Sequence, residues 1–126
     1  MRIRCVAVVL RFEEGPEILL DCARPFATLP GGPLLRGFTP QDSAALALDL
    51  AGMPETAPDQ VQLLPATDGR PEAVMVHLAL PTISDLSGDA AVQWVSLSDA
   101  AHLLSEDDQE AVQVALEAIA AESEEA

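Results

Sequence analysis

Apolar residues occur along this chain in short blocks, and the first blocks predict strands. Residues 3–12 form a near-continuous run of Val, Ala and Leu, which is typical of a strand buried on both faces. A turn by composition at 13–16 and a second apolar run at 17–23 predict a hairpin with that strand. A short extended piece and three later strands are predicted at 26–29, 60–65, 72–80 and 91–95.

Three start signals predict helices. Thr39, with Pro40 at the first helical position, begins a helix that is expected to end near Ala51, with Gly52 just beyond it. Ser98 is expected to cap a short helix to about residue 104, and Ser105 a final helix to about residue 121. The tail 122–126 is expected to be frayed. Strands, helix, strands and helix in this order predict a mixed α/β sandwich, and residues 1–126 a single domain.

Charge narrows the classes of partner. The chain has 126 residues and a net charge of −15, from 21 acids against six arginines and no lysine. Such a surface repels nucleic acid and anionic membranes, so we expect neither as a partner.

The longest apolar run, 5–10, is far below the ~20 residues of a membrane-spanning helix. Without a signal-peptide pattern at the N-terminus, a cytoplasmic location is expected. Cys5 and Cys22 are then expected to be buried thiols rather than a disulfide or a metal pair.

The segment 29–53 carries the most specific pattern, a Gly-Gly turn followed by a helix start and a glycine at the helix end. It resembles the box of the Nudix (MutT-like) hydrolases, in which a loop-helix-loop places glutamates around Mg²⁺. The matching positions are Gly31, Gly32, Gly37, Thr39, Pro40 and Gly52. Residues 94–99 are also similar to the last strand of that family and the short helix after it. The resemblance implies an α/β/α sandwich with a mixed sheet.

The glutamates of that box are mostly replaced. Phe38 stands where the family has a glutamate, and the Arg-Glu pair of the family falls on Ala45 and Leu46. The Glu-Glu pair falls on Asp49 and Leu50, and the helix is one residue shorter than the family spacing. Mg²⁺ requires oxygen ligands, which leucine lacks. We therefore expect no bound metal and assign no catalytic residue, with Asp49 as the one remnant candidate.

Leucines on the former metal face raise the question of what covers them. Leaving a leucine exposed forfeits ~1.5–3 kcal/mol. Leu46 and Leu50 are therefore expected to be covered by a loop of the same chain, a partner subunit or an apolar ligand, although isolated surface leucines are common. Arg24, Arg36 and Arg70 lie in loops, and if they converge they can hold a phosphate without metal. The alternative is that they pair with the many acids.

Other chemistry-bearing residues have simpler interpretations. Asp42 lies on the same helical face as Asp49 and complements the helix dipole. His77 and His102 are interpreted as partly buried structural residues, and Trp94 as a core anchor, with base stacking as its alternative. No pattern distinguishes the remaining acids that could approach the box, namely Asp21, Glu55, Asp68, Glu72 and Asp85.

These observations predict a Nudix-like domain with a degenerate box that lacks efficient Mg²⁺-dependent hydrolysis. It would bind a nucleotide-like small molecule or another protein, and the family analogy together with the apolar helix face suggests a homodimer. One alternative is an active hydrolase of a nucleoside diphosphate derivative, in which Asp49 and acids outside the box hold Mg²⁺. A second alternative is a structural or regulatory subunit.

Overall fold

The computed structural model describes residues 3–13, 15–22, 26–50, 58–80 and 92–125, with the backbone alone from residue 122 onward. The strands are β1 (Ile3–Arg11), β2 (Glu17–Asp21), β3 (Gly31–Pro33), β4 (Asp59–Leu64), β5 (Ala73–Ala79) and β6 (Val92–Ser96). The helices are α1 (Pro40–Leu50), α2 (Leu97–Leu103) and α3 (Glu106–Glu125). None of the described helices is long and apolar enough to cross a membrane.

The strands form one mixed sheet in the order β4-β5-β1-β2-β6. β1 is parallel to β5 along its length, and its final residues pair antiparallel with β2. β3 pairs antiparallel with the beginning of β1, on the edge that β2 leaves free. β1 is therefore central, and the prediction that it is buried on both faces is confirmed: residues 5–10 have at most 1% of their surface exposed.

Helices lie on both faces of the sheet, which confirms the predicted sandwich. On one face α2 and α3 cover an apolar cluster that includes Val6, Val8 and Ala115. On the other face Leu48 of α1 packs on a smaller cluster with Ala7 and Val9. The alternation of β1 side chains between the two clusters follows from the two-residue period of a strand. The box helix and the C-terminal helices are thus separated by the sheet.

The observed elements differ from the predicted ones chiefly at three places, and the other strand bounds shift by only one or two residues. The extended piece at 26–29 forms only an isolated bridge between Thr28 and Asp21. The strand that pairs with β1 is β3, which begins at Gly31. Ser96, not Ser98, caps α2, because the helix follows β6 directly and the Ser96 hydroxyl accepts from the Asp99 N–H. α3 begins after Ser105 as predicted but continues to Glu125 instead of ending near Ala121.

Candidate functional site

The Gly-Gly pair, predicted as a turn, lies in strand β3 instead, and a close approach to β1 requires glycine at Gly31. A Cβ on Gly31 would lie 2.3 Å from the carbonyl oxygen of Cys5 and 3.0 Å from the Cα of Val6. A Cβ on Gly32 would meet nothing within 4 Å. Gly37, in the following turn, has a φ of +84°, which favours glycine. Gly31 and Gly37 therefore have local structural reasons that are independent of catalysis, whereas neither crowding nor a positive φ requires glycine at Gly32. Gly52 lies outside the described residues.

The start of α1 is fixed by side-chain hydrogen bonds. The Thr39 hydroxyl accepts from the backbone N–H of Asp42 at 3.1 Å, so Thr39 acts as the predicted N-cap. The Ser43 hydroxyl accepts from the Leu35 N–H at 3.5 Å, which ties the preceding loop to the helix. Gln41 donates to the carbonyl of Pro58 at 2.9 Å and joins α1 to the approach to β4. The helix is therefore held at its first turn.

The outer face of α1 contains the positions that the sequence resemblance aligns with glutamates of the Nudix box. Asp42 and Asp49 are exposed, Leu46 is half-buried and Leu50 is 78% exposed. No segment among the described residues covers Leu50, so its expected cover by a loop, a partner subunit or an apolar ligand stays a prediction. Phe38, in the preceding turn, is 42% exposed. This face combines apolar side chains with two separated carboxylates.

Those acids named in the sequence analysis that the structure describes do not form a cluster of metal ligands. Among the described residues, no group of three or more His, Cys, Asp or Glu side chains is arranged to hold a metal ion. Asp68 is exposed, and Asp21 and Glu72 are half-buried. Glu55 and Asp85 lie outside the described residues. The donors that Mg²⁺ requires are thus not assembled around Asp49 within the described chain.

The three loop arginines do not form a phosphate site in the described structure. Arg70 is 7% exposed, and its guanidinium donates to Asp107 at 3.4 Å, to Glu110 at 3.1 Å and to the carbonyl of Pro65 at 2.8 Å. It therefore joins the β4–β5 turn to α3 and is not available to a ligand. Arg36 is exposed in the box turn. Arg24 lies outside the described residues.

The two histidines occupy opposite environments. His77, in β5, is fully buried, with Nδ1 3.3 Å from the carbonyl oxygen of Val6 and no hydrogen-bond partner for Nε2 among the described groups. Burial lowers the pKa of His77 below its ordinary value, because the charged ring would lose its hydration. His102 is exposed near the end of α2, so the expectation that it is partly buried is wrong. A helix of seven residues leaves that side open to solvent.

Trp94 is half-buried in β6 and packs against the cluster under α1, as expected of a core anchor. The Arg11 guanidinium lies 4.2 Å from the centroid of its ring and donates from Nε to Glu17 at 2.9 Å. One face of the ring is therefore occupied by a cation, which disfavours the base-stacking alternative. Cys5 is buried and Cys22 half-buried, both as free thiols, and burial raises the pKa of Cys5.

One residue near the box was missed as an anchor. Asp108, 3% exposed in the first turn of α3, accepts from Arg4 Nη1 at 3.1 Å and from the Leu29 N–H at 3.3 Å. It thereby connects α3 to the segment that enters the Gly-Gly pair. From the sequence, Asp108 is recognisable only as the residue three positions after the capping Ser105. That spacing accounts for the hydrogen bond from the Asp108 N–H to the Ser105 hydroxyl at 3.3 Å, but not for the contacts with Arg4 and Leu29.

No family model matches the sequence, and no curated protein matches it either. Solved structures do match. A mutT/nudix family protein from Listeria innocua aligns with 98% of this chain and 97% of its own, at a TM-score of 0.75 and 13% identity. The chain has the Nudix fold. The loop-helix-loop that contains α1 can therefore be compared with the Nudix box by position as well as by sequence.

Two further structures illustrate what this fold accommodates. The Nudix domain of Shewanella oneidensis NrtR, in a cocrystal with ADP-ribose, has 17% identity and a TM-score of 0.66, over 93% of this chain and 87% of its own. The C-terminal domain of mouse MUTYH, in complex with human PCNA, has 13% identity and a TM-score of 0.68, over 90% and 86%. Small-molecule and protein complexes therefore both occur among the structural neighbours of this Nudix-fold chain.

Proposed function

We propose that this Nudix-fold domain is an interaction module without efficient Mg²⁺-dependent hydrolysis. The observation that carries the proposal is the outer face of α1, where Leu46 and Leu50 stand at the positions of family glutamates. Leu50 is 78% exposed, so packing against the described parts of the chain does not explain its place. An apolar side chain in that position disfavours a hydrated cation and favours contact with another apolar surface.

The two acids that remain on α1 are poorly placed to share one ion. Asp42 and Asp49 are seven residues apart, about 10 Å along the helix axis at 1.5 Å per residue. Ligands of Mg²⁺ lie at about 2.0–2.1 Å in near-octahedral geometry, which carboxylates one turn apart on a helix satisfy more readily. Without a metal to polarise the phosphoryl oxygens and activate water, the described residues of this face supply no catalyst for diphosphate hydrolysis.

A second copy of the chain is the partner proposed for this face. In a twofold-symmetric contact the same patch meets itself, so each residue needs a complement within the patch. The exposed Arg36 in the box turn complements the exposed Asp42 and Asp49 of a neighbouring copy. Burying Leu50 in such a contact would recover about 1.5–3 kcal/mol per side chain. We therefore assign the homodimer predicted from the sequence to this surface.

Turnover tests the loss of hydrolysis. The purified chain is incubated with ADP-ribose and other nucleoside diphosphate derivatives in Mg²⁺ or Mn²⁺, beside an Asp49→Ala variant. We expect both proteins to match the enzyme-free rate. Metal-dependent turnover that Asp49→Ala abolishes would instead support the active-hydrolase alternative.

Sedimentation tests the dimer. We expect the wild-type chain to show a concentration-dependent dimer and Leu50→Glu to be monomeric. Leu103→Glu is the matched control, because Leu103 is also exposed, at 51%, but lies on α2 across the sheet. A monomeric wild type, or equal behaviour of the two variants, contradicts the proposed surface.

Nucleotide binding is the second candidate, favoured by the ADP-ribose complex of the NrtR Nudix domain and by the exposed Arg36. Thermal-shift measurements without metal test it, because a ligand that prefers the folded state raises its stability. An ADP-ribose shift that Arg36→Ala removes would support this candidate. The absence of a shift leaves protein association as the function.

A further inference from the structure

A groove between α2 and α3 lies across the sheet from the box. Its volume is about 180 Å³. Each side contributes one stripe with the spacing i, i+3, i+4, i+7. The lining residues are Leu97, Ala100 and Ala101 from α2, Leu104 from its C-cap, and Gln109, Val112, Gln113 and Leu116 from α3. The first stripe is wholly apolar, whereas the α3 stripe alternates two glutamines with Val112 and Leu116, which are only half-buried.

The groove exists because the two helices pack on different strands. α2 contacts β2 and β6, whereas α3 contacts β1, β4 and β5. Their adjacent flanks are therefore not filled by each other. A cavity of about 150 Å³ lined by apolar side chains is large enough to bind a benzene-sized group. The groove can accordingly take one or two apolar side chains of a bound segment.

The lining indicates the backbone conformation of that segment. An extended peptide would bring unpaired N–H and C=O groups that need partners. The groove offers few, because Gln109 donates to the Leu104 carbonyl at 2.9 Å and Gln113 donates to Glu117 at 3.3 Å. A helix satisfies its own backbone and presents apolar side chains along one face, so it suits a groove between two helices.

The charge around the groove selects the chemistry of the partner. Neither α2 nor α3 contains a lysine or an arginine. Glu106 and Glu117 are exposed on α3 and flank its lining stripe by helical spacing, and no ion pair among the described residues includes them. A second copy would bring like charges together, which costs free energy. A cationic partner would instead be attracted to this rim.

We propose that the groove between α2 and α3 docks an amphipathic helix of another protein, with apolar residues at i, i+3, i+4 and i+7 flanked by lysine or arginine. This binding is independent of the proposed role of α1, because the two surfaces lie on opposite faces of the sheet. Apolar contact supplies the anchor and the acidic rim supplies attraction, which must weaken as added salt screens it.

The test uses a synthetic amphipathic peptide of about 15 residues, long enough for marginal helicity, with leucines in that spacing and lysines elsewhere. Fluorescence anisotropy measures its binding to the full chain. We expect at least tenfold weaker binding to Ala101→Trp, in which an exposed lining residue fills the groove. Glu117→Lys should also weaken binding, whereas Asp59→Lys, the same charge change on exposed β4, should weaken it less.

Scrambled peptide of the same composition separates docking from simple charge attraction. Equal binding of the scrambled peptide, no effect of Ala101→Trp, or no binding at all overturns the proposal. A change of oligomeric state in Ala101→Trp would assign the groove to a second copy and overturn it as well. Leu50→Glu should leave peptide affinity unchanged, so failure of the α1 proposal and failure of this one give different results.

Discussion

Replacing Asp108 should destabilise the fold far more than replacing its neighbour Asp107. Asp108→Ala leaves the buried Leu29 N–H without an acceptor, which costs ~1–3 kcal/mol. It also removes the ion pair with Arg4, whose side chain is 29% exposed and can recover water, so we discount that loss to roughly 1 kcal/mol. The expected loss in the free energy of unfolding is about 2–4 kcal/mol, the sum of these two ranges.

Asp107→Ala is the matched control. Both residues lie in the first turn of α3, so both variants lose the same favourable interaction with the helix dipole. The Asp107 side chain is 50% exposed, however, and its pairing with Arg70 is worth ~0–1 kcal/mol. Urea unfolding followed by circular dichroism measures both variants. A difference below roughly 0.5 kcal/mol, within the scatter of surface substitutions, would refute the claim that Asp108 anchors α3 to the box entry.

Three further predictions address local features. Gly31→Ala should cost about 1–3 kcal/mol or prevent folding, because the added Cβ meets backbone, whereas Gly32→Ala should cost much less; urea unfolding of both variants checks this. Thr39→Ala should cost ~1 kcal/mol in the same assay through loss of the cap. Because burial lowers the pKa of His77, the unfolded state binds its proton more readily, and stability should fall as the pH drops from above 6.5 toward the lower folded value. Urea unfolding across that range should show a shallower decline for His77→Gln than for the wild type.

Much of the fold followed from local patterns. The apolar run of β1 predicted a central strand, and the Thr39-Pro40 pair predicted the start of α1, because burial and capping depend on residues close in sequence. The cap of α2 was misassigned although Ser96 has Asp99 three residues later, the stronger capping pattern. The sequence predicts that the preceding strand ends at Val95, one residue before the observed end of β6, and the predicted cap is shifted with it to Ser98.

The candidate site was predictable only where a single helix determines it. The spacing on α1 placed Asp42, Leu46 and Leu50 on one outward side, as the structure does. Contacts between distant elements were not predictable. The sequence leaves open whether the loop arginines converge on a phosphate or pair with acids, and Arg70 pairs with acids of α3. This pairing was not predictable because it depends on how the β4–β5 turn packs against that helix. The role of Asp108 depends on the same long-range packing.

The central claim is that the outer face of α1 has no binding site for a divalent cation. Crystals of the chain soaked in Mn²⁺ test it most directly, through anomalous difference density recorded at the manganese edge. We expect no ordered density within coordination distance of Asp49, which would agree with apolar side chains replacing the oxygen donors. A strong peak beside Asp49, ligated by several carboxylates and absent from Asp49→Ala crystals, would contradict the account.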